Sequence, residues 1–202
     1  SMEVLAVSGV KGGVGKTTFA VLLALKLSRL EKTMLVDLDV EEPNDYILFG
    51  VKLNKPASFT YQEFPRINAE KCRKCGTCAK VCREHAIFHV PGKVPIIMED
   101  LCSGCGACKF ACPFNAIEME KKESGKIFVN RISEELLLVT GVAKVGISET
   151  GPIVKQVKEY SFSLAKEVNA SYVVLDTAPG MHCNVIQALV GAKKVYAVAE
   201  PT

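Results

Sequence analysis

The feature that most limits how this chain can fold is a pair of matched cysteine runs. Cys72, Cys75, Cys78 and Cys82 are spaced C-x₂-C-x₂-C-x₃-C, and Cys102, Cys105, Cys108 and Cys112 repeat that spacing thirty residues later. Other residues keep the same offset, among them Ile67 and Ile97, Gly76 and Gly106, Ala86 and Ala116, and Ile87 and Ile117. Such an internal duplication predicts a small pseudo-twofold module. Eight of the nine cysteines fall between Cys72 and Cys112. A secreted disulfide framework is also cysteine-dense, but it rarely repeats one spacing twice. The expected compartment is a reducing cytoplasm, with the thiols occupied by metal.

The spacing selects the metal. Three cysteines on one tight loop can grip three irons of a cube, while the fourth, expected at the start of a helix, projects toward a second cube. This is the run of two-cluster bacterial ferredoxins, in which the fourth cysteine of each run serves the other cluster. One [4Fe–4S] cluster is therefore expected on Cys72, Cys75, Cys78 and Cys112, and the other on Cys102, Cys105, Cys108 and Cys82. A pair of Cys₄ zinc sites would use two-cysteine hooks separated by a longer gap. Cys112 is followed by Pro113, whereas Arg83 stands where the first run would carry proline; that change removes no ligand.

Around this block the chain reads as α/β. Val4–Ser8 is a strand followed by a Gly-rich turn, residues 17–30 form a helix of Ala and Leu, and residues 34–37 form a strand ending in an acid. Strand, loop, helix and strand in that order predict a parallel sheet. Pro56 and Pro65 mark a connecting stretch, and polar residues 121–125 close the cysteine block. The pattern returns with strands at 136–140, 172–176 and 194–199 and helices at 153–168 and 185–190. An α/β domain at 2–62 and 122–202, interrupted by an α+β module at 63–121, is the expected organisation. The formal charge of +3 is modest and unclustered, which gives no case for nucleic acid. No apolar run reaches the roughly 20 residues needed to cross a bilayer. A strand follows at once on Ser1-Met2, so no secretory signal is expected.

The segment between the first strand and the first helix is built for phosphate. Gly12, Gly13 and Gly15 let the backbone curl so that its N–H groups, with those of Val14, Lys16, Thr17 and Thr18, converge on an anion at a helix N-terminus. Lys16 supplies charge to the β- and γ-phosphates, and the Thr17 hydroxyl is placed to ligate Mg²⁺. Asp37 and Asp39 end the second strand, where open α/β sheets bind ligands. The apolar run from Tyr172 closes on Asp176, which is expected near Mg²⁺ together with Asp37.

Lys11-Gly12-Gly13 followed by Gly15-Lys16-Thr17 resembles the deviant Walker A loop of the MinD/ParA/Mrp superfamily of ATPases. With the cysteine module, the order of parts resembles the branch that carries an inserted ferredoxin domain. The resemblance covers Val4 to Thr202. It implies a mostly parallel P-loop NTPase sheet with helices on both faces, whose C-terminal part the sequence does not reach. It also implies that Lys11 crosses a nucleotide-dependent homodimer to the partner's phosphates, and that Asp39 positions the attacking water. Thr177–Gly180 looks like switch II, with the Gly180 N–H offered to the γ-phosphate. Cys183, just beyond, is read as a small residue packed at a helix start. His85, whose repeat partner is Asn115, is read as a turn residue.

The resulting expectation is a Mg-dependent ATPase, binding ATP or ADP, in which dimer closure gates electron transfer through two clusters to a redox partner. The alternative is an iron–sulfur assembly or carrier ATPase like the Mrp relatives. A spatial regulator like MinD would want a C-terminal amphipathic membrane helix, so no membrane partner is expected.

Overall fold

Buried on both faces, a parallel strand must be apolar nearly throughout, and three segments of this chain meet that demand: Val4–Val7, Met34–Val36 and Val173–Leu175. The computed structural model describes residues 1–8, 14–178 and 195–199, the side chains of 14–18 and 195–199 excepted. In chain order the elements are β1 (Glu3–Ser8), α1 (Val14–Ser28), β2 (Thr33–Asp37), α2 (Asp45–Leu48), β3 (Ser58–Ile67) and α3 (Thr77–Val81). There follow β4 (Ile87–Phe88), β5 (Ile96–Ile97), α4 (Ala107–Ala111), β6 (Ile117–Ser133), β7 (Leu136–Ala143), α5 (Gly151–Glu167), β8 (Tyr172–Asp176) and β9 (Val195–Ala199). The helix read at 185–190 lies outside the described residues. The chain divides into two compact units: Ser1–Thr60 with Gly125–Ala143 and Gly151–Thr202, and Tyr61–Ser124 with Lys144–Thr150.

The first unit is built on parallel strands. β2 lies between β7 and β8, and β1 between β8 and β9, all pairing parallel. β6 pairs antiparallel with β7, and β3 adjoins β6, giving the sheet order β3-β6-β7-β2-β8-β1-β9. On one face Leu35, Leu136, Leu138 and Val174 pack against Val21 and the alanines of α1, Ala20 and Ala24. Alternation turns Gly141 of β7 to the opposite face, where a Cβ would come within 2.6 Å of Val157 on α5. Glycine is required there because the helix lies directly on the strand. α5 then stops in a Schellman motif: Asn169 takes φ +56°, and the N–H groups of Asn169 and Ala170 bond the carbonyls of Lys166 and Ala165.

Two elements differ from the sequence expectation. Residues 121–125, read as the polar end of the cysteine block, run inside the seventeen-residue strand β6. Gly125 marks a close approach there, not a turn: a Cβ would lie 2.7 Å from both Thr60 Oγ1 and the Val142 carbonyl. Pro65, read as part of a connection, sits in β3, which a proline can enter because β3 is the edge strand.

Lys158 on α5 is buried, and its Nζ has no hydrogen-bond partner among the described residues. Burial, which disfavours the ammonium, lowers its pKa from 10.5 to about 8. Between pH 8 and 10.5 the unfolded chain therefore binds more protons than the folded one, and stability rises with pH across that window. Lys158→Met is expected to stabilise the protein at pH 7 by at least about 1 kcal/mol and to flatten that rise. Thermal unfolding at pH 7, 8.5 and 10 checks both effects.

Candidate functional site

In the first unit, the site collects at the C-terminal ends of β1, β2 and β8. β1 ends at Ser8 and α1 opens at Val14, so the backbone of Val14, Gly15, Lys16, Thr17 and Thr18 forms the first turns of that helix. A helix N-terminus directly beyond a parallel strand presents free N–H groups and a positive dipole end. Lys11, Gly12, Gly13 and Gly180 lie outside the described residues, as do Cys183 and the side chains of residues 14–18.

The acids beside this turn are well placed by register. Asp37 pairs with Asp176 across β2 and β8, and Val7 of β1 pairs with Asp176 on its other side. Both carboxylates are almost fully buried, and Asp45, at the start of α2, is fully buried beside them. One oxygen from each of Asp37, Asp45 and Asp176 lies within 4.8 Å of the others. Asp37 also organises the following loop. Its Oδ1 accepts the Asp39 N–H at 3.1 Å, and its Oδ2 accepts those of Asn44 and Asp45 at 3.0 and 3.1 Å. Burial raises the Asp37 pKa to about 7, Asp176 adds to that rise, and the three backbone donors oppose it. A divalent cation would favour the ionised form, so the donor set suits a hard, oxygen-seeking metal.

Asp39 is not part of this trio. It lies beyond the end of β2, half-buried, and its carboxylate accepts the Glu42 N–H at 3.2 Å. Thr177 is buried, and both its hydroxyl and its N–H donate to the Val7 carbonyl, which ties the segment after β8 to the tip of β1. Asp45 was missed from sequence. The available signal was an acid opening an otherwise apolar turn, Asp45-Tyr46-Ile47-Leu48, directly after Pro43-Asn44.

The second unit holds the cysteines, and the duplication is visible in its backbone. Gly76 and Gly106 adopt φ +73° and +76° and open α3 and α4. His85 and Asn115 both take positive φ, as do Lys74 and Gly104. The turn role read for His85 is what its backbone performs. Ala86, Ala116, Ile87 and Ile117 are buried, and the two isoleucines pack with Cys78 and Cys108 in one core cluster. Cys82 and Cys112 cap the C-terminal ends of α3 and α4, which corrects the expectation that the fourth cysteine begins a helix. The helix in each half starts earlier because the left-handed glycine, not the cysteine, terminates the loop.

Two separate cavities sort the cysteines. Cys72, Cys75, Cys78 and Cys112 line one, with Thr77 and Phe114; Cys102, Cys105, Cys108 and Cys82 line the other, with Arg83 and Ala107. All eight are free thiols. Backbone N–H groups already point at sulfur: Lys74 to Cys72, Ala86 to Cys82, Gly104 to Cys102 and Ala116 to Cys112, all at 3.3–3.4 Å. Burial raises the Cys78 and Cys108 thiols, Cys108 to about 11. Buried thiols ringed by other thiols and by N–H donors suit a bound metal–sulfur group, which fixes them as thiolates.

A parallel sheet whose first strand is followed by a helix N-terminus, with paired acids at the neighbouring strand tips, fits the P-loop ATPase class, and the duplicated eight-cysteine unit fits an iron–sulfur domain. Residues 65–119 match the family model described as 4Fe-4S dicluster domain, and residues 2–60 match that of cellulose biosynthesis protein BcsQ. The uncharacterized protein MJ0579 of Methanocaldococcus jannaschii is 39% identical over 202 residues, covering the whole chain and 70% of that protein. MJ0578 of the same organism is 35% identical over 201 residues, covering 68% of it. Among solved structures, MinD of Pyrococcus horikoshii with Mg-ADP aligns over 98% of this chain at 14% identity and a TM-score of 0.44. The chain spans 58% of that MinD chain. The protein belongs to the family of the two M. jannaschii proteins, within the MinD/ParA/Mrp superfamily of P-loop ATPases, as a member with an inserted ferredoxin domain. Among the described residues no helix is long and apolar enough to cross a membrane.

Proposed function

We propose that the protein binds and hydrolyses Mg-ATP in the cytoplasm as a nucleotide-dependent homodimer, and that dimer closure gates electron transfer through two [4Fe–4S] clusters to a redox partner. The observation that carries this reading is the hold of Asp37 on the loop behind it. Three N–H bonds bind the Asp39–Asp45 segment to a carboxylate beside the phosphate turn, and the chain then leads through β3 into the cysteine unit. A change in metal or phosphate at Asp37 thus acts directly on the segment that connects the two activities.

The roles follow from chemistry. Gly12, Gly13, Val14, Gly15, Lys16, Thr17 and Thr18 cradle the phosphates, while Lys16 neutralises the β/γ charge. Thr17, Asp37 and Asp176 hold Mg²⁺, with Asp45 enlarging the acidic pocket. Asp39 orients the attacking water, Gly180 senses the γ-phosphate through its N–H, and Lys11 reaches the partner's nucleotide. The proposed domains, 2–62 with 122–202 and 63–121, differ from the two compact units at their boundaries and at residues 144–150, and separate nucleotide chemistry from the metal centres. When bound, each cluster supplies a one-electron carrier. Four cysteines facing each cavity favour retention of that carrier over hand-off, which weighs against a cluster-delivery role.

Lys11 and Asp39 provide the test. MgATP is expected to double the solution mass of the wild-type protein, while Lys11→Ala stays monomeric. Asp39→Ala is expected to dimerise normally but to hydrolyse at least about tenfold more slowly, since it acts on the reaction step. Normal dimerisation of Lys11→Ala, or unchanged turnover in Asp39→Ala, would reassign those roles.

A further inference from the structure

Because the two cysteine cavities are near copies, their differences mark where their chemistry diverges. The backbone donors to sulfur do not differ. Lys74 N–H to Cys72 matches Gly104 N–H to Cys102, and Ala116 N–H to Cys112 matches Ala86 N–H to Cys82. Each cavity thus receives one donor of each kind. Nor do the cysteines differ in burial, since Cys75 and Cys105 are both exposed and Cys78 and Cys108 both buried. The charged linings differ, with Arg73 at the first cavity and Arg83 and Glu84 at the second, but among the hydrogen bonds to sulfur of the described residues the asymmetric one is Thr77 Oγ1, 3.3 Å from Cys75 Sγ. Thirty residues on, the matching position is Ala107, whose methyl offers no donor. Thr77 lines the first cavity and Ala107 the second.

A metal-bound thiolate carries no proton, so in the loaded protein the hydroxyl must be the donor. A hydrogen bond to cluster sulfur stabilises the more electron-rich state and raises the reduction potential. We infer that Thr77 polarises the module: the cluster held by Cys72, Cys75, Cys78 and Cys112 has the higher potential and takes the first electron. Electrons entering at the other cluster then pass downhill to this one. This inference rests on the two-cluster reading above.

Redox titration of the whole, anaerobically prepared protein, followed by electron paramagnetic resonance, tests it, with iron and sulfide measured on the same samples. The wild type is expected to show two resolved one-electron steps. Thr77→Ala lowers the upper step by about tenfold in its reduction equilibrium, about 59 mV for one electron, at full iron content. Thr77→Ser, which keeps the hydroxyl, restores it. Ala107→Thr raises the lower step instead, narrowing the gap. Unchanged potentials in iron-replete Thr77→Ala, or movement of the lower step, would overturn the inference. Wild-type protein without two clusters' worth of iron and sulfide would overturn the underlying reading, before any titration.

Discussion

Cys72→Ser combined with Cys112→Ser is expected to cost the protein only about half its iron, no more than either substitution alone. The reason is the sorting of cysteines between the cavities. Cys112 lies ten residues from Cys102 and forty from Cys72, yet it lines the cavity of Cys72, Cys75 and Cys78. Removing two ligands of one cluster removes one cluster. Cys72→Ser combined with Cys82→Ser, by the same logic, strips both clusters and nearly all the iron. Sequence-neighbour ligation predicts the reverse: the first double variant would lose everything. Iron and sulfide analysis of the two double variants decides between these outcomes, because non-additivity identifies residues that act as a unit. Each variant also leaves cysteines without a cluster to bind them and open to oxidation, so preparation must be anaerobic.

Lys16→Ala is expected to weaken MgATP binding by on the order of a hundredfold while leaving both clusters filled. Truncating one partner of a desolvated, hydrogen-bonded charge pair costs about 2–5 kcal/mol, and each 1.4 kcal/mol is about tenfold in affinity. Lys16 stands in the first turn of α1, directly after the strand whose tip lies beside Asp176. The cysteine unit has a core of its own, in which Cys78, Cys108, Ile87 and Ile117 pack together. Equilibrium nucleotide binding and iron content, measured on one preparation, give the expected split. Loss of iron with loss of nucleotide would mean that the substitution unfolds the chain.

The parallel core was legible because its strands are continuous apolar runs that few other structures tolerate. Val4–Val7, Met34–Val36 and Val173–Leu175 announce themselves without reference to any distant residue. β3 and β6 do not. Along residues 121–123 both strand faces are exposed, so no period-two pattern survives, and Pro65 and Gly125 both read as breaks. Only the edge position of β3 and the closeness of Thr60 and Val142 to Gly125 explain them. Similar reasoning covers the site. Cysteine spacing encodes a loop that must wrap a compact group, so ligand types and their division into sets are local information. Asp45 is different. It reaches Asp37 and Asp176 only because Asp37 Oδ2 draws in the Asn44 and Asp45 N–H groups, a folding-back that spacing does not encode. Lys158 is equally silent in sequence, being one of several lysines on α5 until packing buries it.

The central claim is that nucleotide and electrons are coupled, and coupling is reciprocal. A cluster reduced more easily in the ATP-bound form must tighten ATP when reduced. An allosteric coupling of about 1.4 kcal/mol corresponds to about 59 mV on a one-electron couple. The decisive measurement is therefore a redox titration of both clusters in the complete protein, with and without saturating MgATP. A shift of about that size in the wild type, absent in Lys16→Ala, is the predicted result. Identical potentials in the two conditions, with the protein dimeric and the clusters intact, would contradict the account.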